Sequence, residues 1–100
     1  MMRYQAKKSD KNQPRLIEFL RSLGCSVVSL HAVGGGVPDL LIGYEGKNYL
    51  IEVKTENGRL NDRQKKWHLE WKGQVVILKN EEEIAIFFNS YIKGKKFNLI

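Results

Sequence analysis

Three side chains are spaced for joint work on one ion: Asp39, Glu52 thirteen residues further on, and Lys54. Glu52 and Lys54 are two apart in the apolar run that starts at Tyr49, so on a strand they project from the same face. Asp39 follows Pro38 at the head of a second apolar run. A hairpin closing on Gly46-Lys47 pairs Glu45 with Asn48 and carries Asp39 opposite Lys54. Glu52 then lies diagonally across, with side-chain roots ~7–8 Å apart and both carboxylates within reach of one ion. A register shift of two residues keeps all three on the shared face, because side chains alternate with a period of two. Two carboxylates and an ammonium among Leu, Ile and Val are costly to bury without a use. A hard divalent cation is such a use. Mg²⁺ takes one or two protein carboxylates, keeps waters and accepts phosphate oxygens. It makes bound water a better nucleophile and offsets charge on the phosphate under attack. Lys54 is a point charge suited to orienting that water. The structural alternative is a plain salt bridge from Lys54 to Asp39 or Glu52. The position of the pattern, on two adjacent central strands after a glycine-rich break, favours the metal.

The elements that must hold these groups follow in order along the chain. Asn12 suits an N-cap with Pro14 in the first turn, and Leu16, Ile17, Leu20 and Leu23 make one stripe of a helix over 13–23 that Gly24 ends. Residues 25–30 read as a strand, 39–44 as a second, 49–55 as a third and 74–78 as a fourth, with Glu45-Gly46-Lys47-Asn48 a tight turn. Both central strands are apolar on both faces, as for sheet interior covered by helices. Asn61 and Gln64 form a capping-box pattern, with Leu60 at the staple position, opening a helix that runs to Lys72 and stops at Gly73. Asn80 and Glu83 repeat the pattern for a last helix carrying Ile84, Phe87, Phe88 and Tyr91. The order α-β-β-β-α-β-α predicts an α/β fold with a mixed central sheet flanked by helices. With no repeat or linker, residues 1–100 read as a single domain, of which 1–9 form a basic arm.

Charge points the same way. Seventeen Lys and Arg against eleven Asp and Glu give +6. A basic surface attracts polyanions, DNA among them, although small domains also carry such charge for solubility. Arg59, Arg63, Lys65, Lys66 and Lys72 read as a phosphate track or a solvated helix face. Gly35 and Gly36 would let a phosphodiester backbone approach closely. Gln64, Trp67 and Trp71 share a stripe with Leu60. Gln64 thus reads as an amide aimed at the strand ends or as an ordinary capping glutamine, and the two Trp as core rather than base-stacking platforms. His68 reads as a surface histidine or a phosphate contact. The lone Cys25 excludes an internal disulfide and a cysteine-based zinc site, and reads as a small buried apolar residue. The hydrophobic fraction, 42%, suffices for a folded interior, and no apolar run approaches the ~20 residues of a membrane helix. The basic start is no secretory signal, so a cytoplasmic protein away from membranes is expected.

Gly34-Gly35-Gly36-Val37-Pro38-Asp39-Leu40-Leu41, Ile51-Glu52-Val53-Lys54-Thr55, Gly58-Arg59-Leu60, Gln64 with Trp67-His68, and Gly73-Gln74-Val75 stand in this order within residues 12–88. In them the chain resembles the PD-(D/E)XK nuclease superfamily, and within it the VRR-NUC family, above all its short stand-alone phage forms. The resemblance implies an αβββαβ core and a DNA endonuclease that hydrolyses phosphodiester bonds with Mg²⁺ or Mn²⁺, selective for Holliday junctions or branched DNA. It implies Asp39, Glu52 and the Val53 backbone carbonyl as metal ligands, Lys54 as the water-orienting group and Gln64 as the family's helix glutamine. Stand-alone members are similar to junction resolvases, which implies a homodimer. Phe87, Phe88, Tyr91 and the closing Phe97-Asn98-Leu99-Ile100 offer apolar surface for one. In one place the chain departs from the pattern. Where the family often has an acidic residue after an Asn in the first helix, this chain has Asn12-Gln13. The Gln13 carbonyl could hold a metal-bound water but brings no charge, and Glu18 lies ~140° around the helix. A non-catalytic DNA-binding module that kept the fold is therefore the competing expectation.

Overall fold

Leu16 and Leu20 stand one turn apart, and a helix carrying them can bury a single stripe. In a computed structural model, which describes residues 13–89, that helix is α1 (Gln13–Ser22). The basic arm, the Asn12 cap, Tyr91 and residues 97–100 lie outside the described residues. Gly24, at φ 98°, stops α1: its N–H bonds to the Arg21 carbonyl (3.0 Å) and that of Cys25 to the Leu20 carbonyl (3.1 Å), the paired closure of a Schellman motif. There follow β1 (Ser26–Ser29), β2 (Leu40–Tyr44), β3 (Lys47–Val53), α2 (Asp62–Glu70), β4 (Val75–Leu78) and α3 (Glu81–Phe87). The sheet runs β1-β2-β3-β4, antiparallel at the first two junctions and parallel at β3–β4, where α2 makes the crossover. This is the expected mixed α/β architecture. Among the described residues no helix is long and apolar enough to cross a membrane.

The β2–β3 turn is tighter than the sequence suggests. Glu45 (φ 48°) and Gly46 (φ 84°) are both left-handed, and Tyr44 pairs with Lys47. Such a two-residue turn matches the right-handed twist of the flanking strands. The expected Glu45–Asn48 pairing is therefore corrected by two: Leu40 faces Ile51, and the same register carried one residue further sets Asp39 opposite Glu52 instead of Lys54. An even shift leaves every side chain on its face.

On one face, Leu40, Ile42 and Tyr44 of β2 join Tyr49, Ile51 and Val53 of β3, all buried against Leu16 and Leu20 of α1 and Ile84, Phe87 and Phe88 at the C-terminal end. Tyr44 meets the Phe88 ring edge-on at 5.0 Å, and Tyr49 meets Phe87 at 5.8 Å. The other face is not sealed. Val28 is 53% and Ile77 38% exposed, and Leu41 and Leu50 are half-buried. The helix cover expected on both faces is complete on one only. α2 has no buried residue and ends at Glu70, not Lys72, because Trp71 turns extended (φ −77°, ψ 130°). Its ring stacks on Trp67 at 4.6 Å and 18°. The two Trp thus form a half-open pair outside the core, contrary to expectation, with Trp71 45% exposed.

Candidate active site

The antiparallel β2–β3 pair brings the head of β2 beside the end of β3, which is how Asp39 and Glu52 meet. Asp39 Oδ2 accepts a 2.8 Å hydrogen bond from the Val53 N–H, fixing the carboxylate across the strand end. Lys54 N–H donates to the Leu78 carbonyl (3.1 Å), extending the parallel ladder one residue and holding Lys54 on the Glu52 side. Its Nζ lies 3.5 Å from Glu52 Oε2. Asp39, Glu52 and Lys54 are together, as expected.

Gln64 ties them to α2. Its Nε2 donates to Glu52 Oε2 (3.1 Å) and its Oε1 accepts from Lys54 Nζ (3.1 Å). The same Oε1 accepts from Asn61 N–H (2.9 Å), while Gln64 N–H donates to Asn61 Oδ1 (2.9 Å), closing the capping box. The two readings of Gln64 are thus both true: the cap holds the amide that holds the acid and the amine.

His68 is four residues after Gln64 and on the same helix face. It is not at the surface. Its side chain is 14% exposed, and Nε2 lies 4.0 Å from Glu52 Oε1. Both atoms are buried and neither has a hydrogen-bond partner. The i, i+4 spacing from Gln64 was the available sequence signal.

Glu52 is 1% exposed. Burial first, and then the neighbouring Asp39 charge, push its carboxyl up to about 8 against the opposing pull of Lys54. Burial, and secondarily the Lys54 charge, pull His68 below its ordinary value. An unpartnered carboxylate oxygen beside a second carboxylate is a place that a divalent cation fits. Oxygen donors suit ions of the Mg²⁺ and Mn²⁺ kind, which keep part of their water. Among the described residues no three Asp, Glu, His or Cys side chains form a ready-made metal cluster.

The remaining candidates are spread out. Gln13 is buried in the first turn of α1 with Nε2 unpartnered. Gly36 (φ 88°) has a steric duty the sequence reading did not supply: a Cβ there would stand 2.6 Å from the Arg63 carbonyl oxygen and 3.2 Å from Trp67 Cβ. Only glycine lets the 31–38 loop seat against α2. Gly35 faces open space. Arg59, Arg63, Lys65 and Lys66 are all exposed, and Lys66 pairs with Glu70 at 3.6 Å.

Residues 9–76 match the family described as VRR-NUC domain. A stretch of 40 residues, 34% of this chain, is 48% identical to the Fanconi-associated nuclease 1 homolog of Arabidopsis thaliana and spans 4% of that protein. No solved structure matches the chain.

Proposed function

The chain belongs to the VRR-NUC domain family, and from that premise we propose that it is a divalent-metal-dependent DNA endonuclease reacting at Asp39, Glu52 and Lys54. The observation that carries this reading is a buried Glu52 whose Oε1 has no partner, set beside Asp39 and Lys54 on one sheet face. Asp39 and Glu52 would hold Mg²⁺ or Mn²⁺, with the Val53 carbonyl as a further ligand. When bound, such a cation supplies an activated water and a positive charge against the phosphate. Lys54 orients the attacking water and offsets charge on the phosphate oxygens. Gln64 hydrogen-bonds both the Lys54 ammonium and the Glu52 carboxylate and so positions them for the reaction. The exposed Arg59, Arg63, Lys65 and Lys66, with Gly35 and Gly36 in the facing loop, would track the phosphate backbone.

The substrate within this reading is branched DNA, four-way junctions above all, cut by a homodimer in which residues 1–100 act as one domain. The two-fold symmetry of a dimer matches the paired strands such a junction presents. Matched linear, forked and four-way DNA, incubated with Mg²⁺, Mn²⁺ or EDTA, tests it. Cleavage of the branched forms with metal and none in EDTA is expected, as is a dimer by light scattering. Metal-independent cutting would overturn the mechanism, and equal cutting of all three forms would overturn the selectivity. Gln13 favours a second reading, because it adds no negative charge: a DNA-binding module without catalysis. That reading requires binding in a gel shift with no cleavage under any metal.

A further inference from the structure

We propose that His68 is a nitrogen donor to the cation at Glu52, and that it makes the site select Mn²⁺ over Mg²⁺. The inference rests on the reading above, in which Asp39 and Glu52 hold that cation. Glu52 Oε1 and His68 Nε2 face each other at 4.0 Å, both buried and both without a partner. That separation is too long for a hydrogen bond. A direct charge-assisted contact would close to about 2.8 Å. Two donors ~2.0–2.2 Å from one metal ion stand about 3 Å apart in neighbouring positions and about 4 Å apart in opposite ones. The pair is thus held wider than a direct contact and within a small closure of sharing one ion.

Local structure holds the gap open. Gln64 occupies Glu52 Oε2 and leaves Oε1 free, while the His68 ring leans edge-on against Trp67 at 5.9 Å. The capping box fixes where α2 begins, and so the height of both side chains over the strand end. Asp39 is engaged with the Val53 amide beside Glu52, and among the described residues the three side chains form no ready-made cluster, so binding must close them on the ion.

The consequence is selectivity. Mg²⁺ is hard and takes oxygen. Mn²⁺ also favours oxygen, but as a first-row transition ion it accepts an imidazole more readily than Mg²⁺ does, so one nitrogen donor beside the carboxylates tips the site toward Mn²⁺. The full chain is titrated calorimetrically with Mn²⁺ and with Mg²⁺, and bound Mn²⁺ is examined by pulsed electron paramagnetic resonance for nitrogen modulation. Mn²⁺ should bind about tenfold or more tighter than Mg²⁺, and the wild-type spectrum should carry nitrogen modulation. In His68→Leu the modulation should vanish and the Mn²⁺ advantage should collapse, with Mg²⁺ affinity changed little.

A wild-type spectrum without nitrogen coupling overturns the proposal, as does an Mn²⁺ preference that survives in His68→Leu. Should that variant fail to fold, His68→Gln and the wild-type spectrum still decide it. Loss of Mn²⁺ binding in Asp39→Asn and Glu52→Gln, with His68→Leu indifferent, sinks this inference and leaves the reading beneath it standing. Mn²⁺ binding indifferent to Asp39 and Glu52 sinks both.

Discussion

Leu40 and Ile51 face each other on one side of the sheet with no exposure, sealed by α1 and α3. One residue away on the same strands, Asp39 and Glu52 meet on the other side under α2, none of whose residues is buried. The pleat assigns hydrocarbon packing to one face and the polar cluster to the other. The polar groups of the second face hold α2 through Gln64, where the first face uses hydrocarbon contact. Stability and activity should therefore respond to different residues even between chain neighbours.

The sharpest way to break that comparison is to change adjacent positions. Ile51→Ala removes a fully buried side chain and should cost about 2–5 kcal/mol in urea unfolding. Asp39→Asn should reduce DNA cleavage by about 10²–10³-fold while leaving the unfolding midpoint nearly in place. A similar loss of stability in both would mean that the acids belong to the scaffold.

A second prediction uses pH. The Glu52 carboxyl, raised from 4.5 to about 8 chiefly by burial, binds its proton more tightly in the folded protein than in the unfolded chain. Its contribution to stability is full below 4.5 and is lost as pH rises through about 8. Metal-free protein should therefore melt at progressively lower temperature across that window. Glu52→Gln should flatten the slope, and Mn²⁺ should raise the melting temperature most at the alkaline end. A slope unchanged in Glu52→Gln would place the titrating group elsewhere.

How much of this was legible depends on the range of the interaction that sets it. The element order, the stop at Gly24, the capping box at Asn61 and the Asn80 cap are local, and the sequence shows them; Glu83 does not close a second box, because its Oε1 accepts from the Lys79 N–H. The shared face of Asp39, Glu52 and Lys54 survived a two-residue error in the turn, because parity and not register decides the face. The open second face was hidden. The stripe of Leu60, Gln64, Trp67 and Trp71 has the spacing of a core helix, yet what it meets is a polar cluster and its own stacked rings. His68 and Gly36 gain their meaning only from contacts between α2 and distant chain, which periodicity does not encode.

Gly36→Ala tests the seam between the 31–38 loop and α2. The added Cβ would fall 2.6 Å from a backbone oxygen at a left-handed φ, so α2 or the loop must move. A cost of about 1–3 kcal/mol is expected, together with weakened Mn²⁺ binding, whereas Gly35→Ala, facing open space, should carry the backbone strain alone. Equal effects would mean that the loop does not brace α2.

The smallest effect expected is at Asn61, and it discriminates most finely between the two faces. Asn61→Ala removes the side-chain acceptor for the Gln64 N–H and should cost about 1 kcal/mol. On a helix seated by hydrocarbon that loss would remain one of stability. Here Gln64 Oε1 is shared between the Asn61 amide and Lys54 Nζ, so loosening the cap also loosens the group that holds the amine against Glu52. Faster amide exchange confined to α2, with cleavage falling further than global stability, is the expected pattern. Asn80→Ala is the control: it removes a similar cap, bonded to the Glu83 N–H at 2.8 Å, from α3 on the packed face, and it should lower stability alone. If both variants act alike, the polar tether of α2 is not what positions the site.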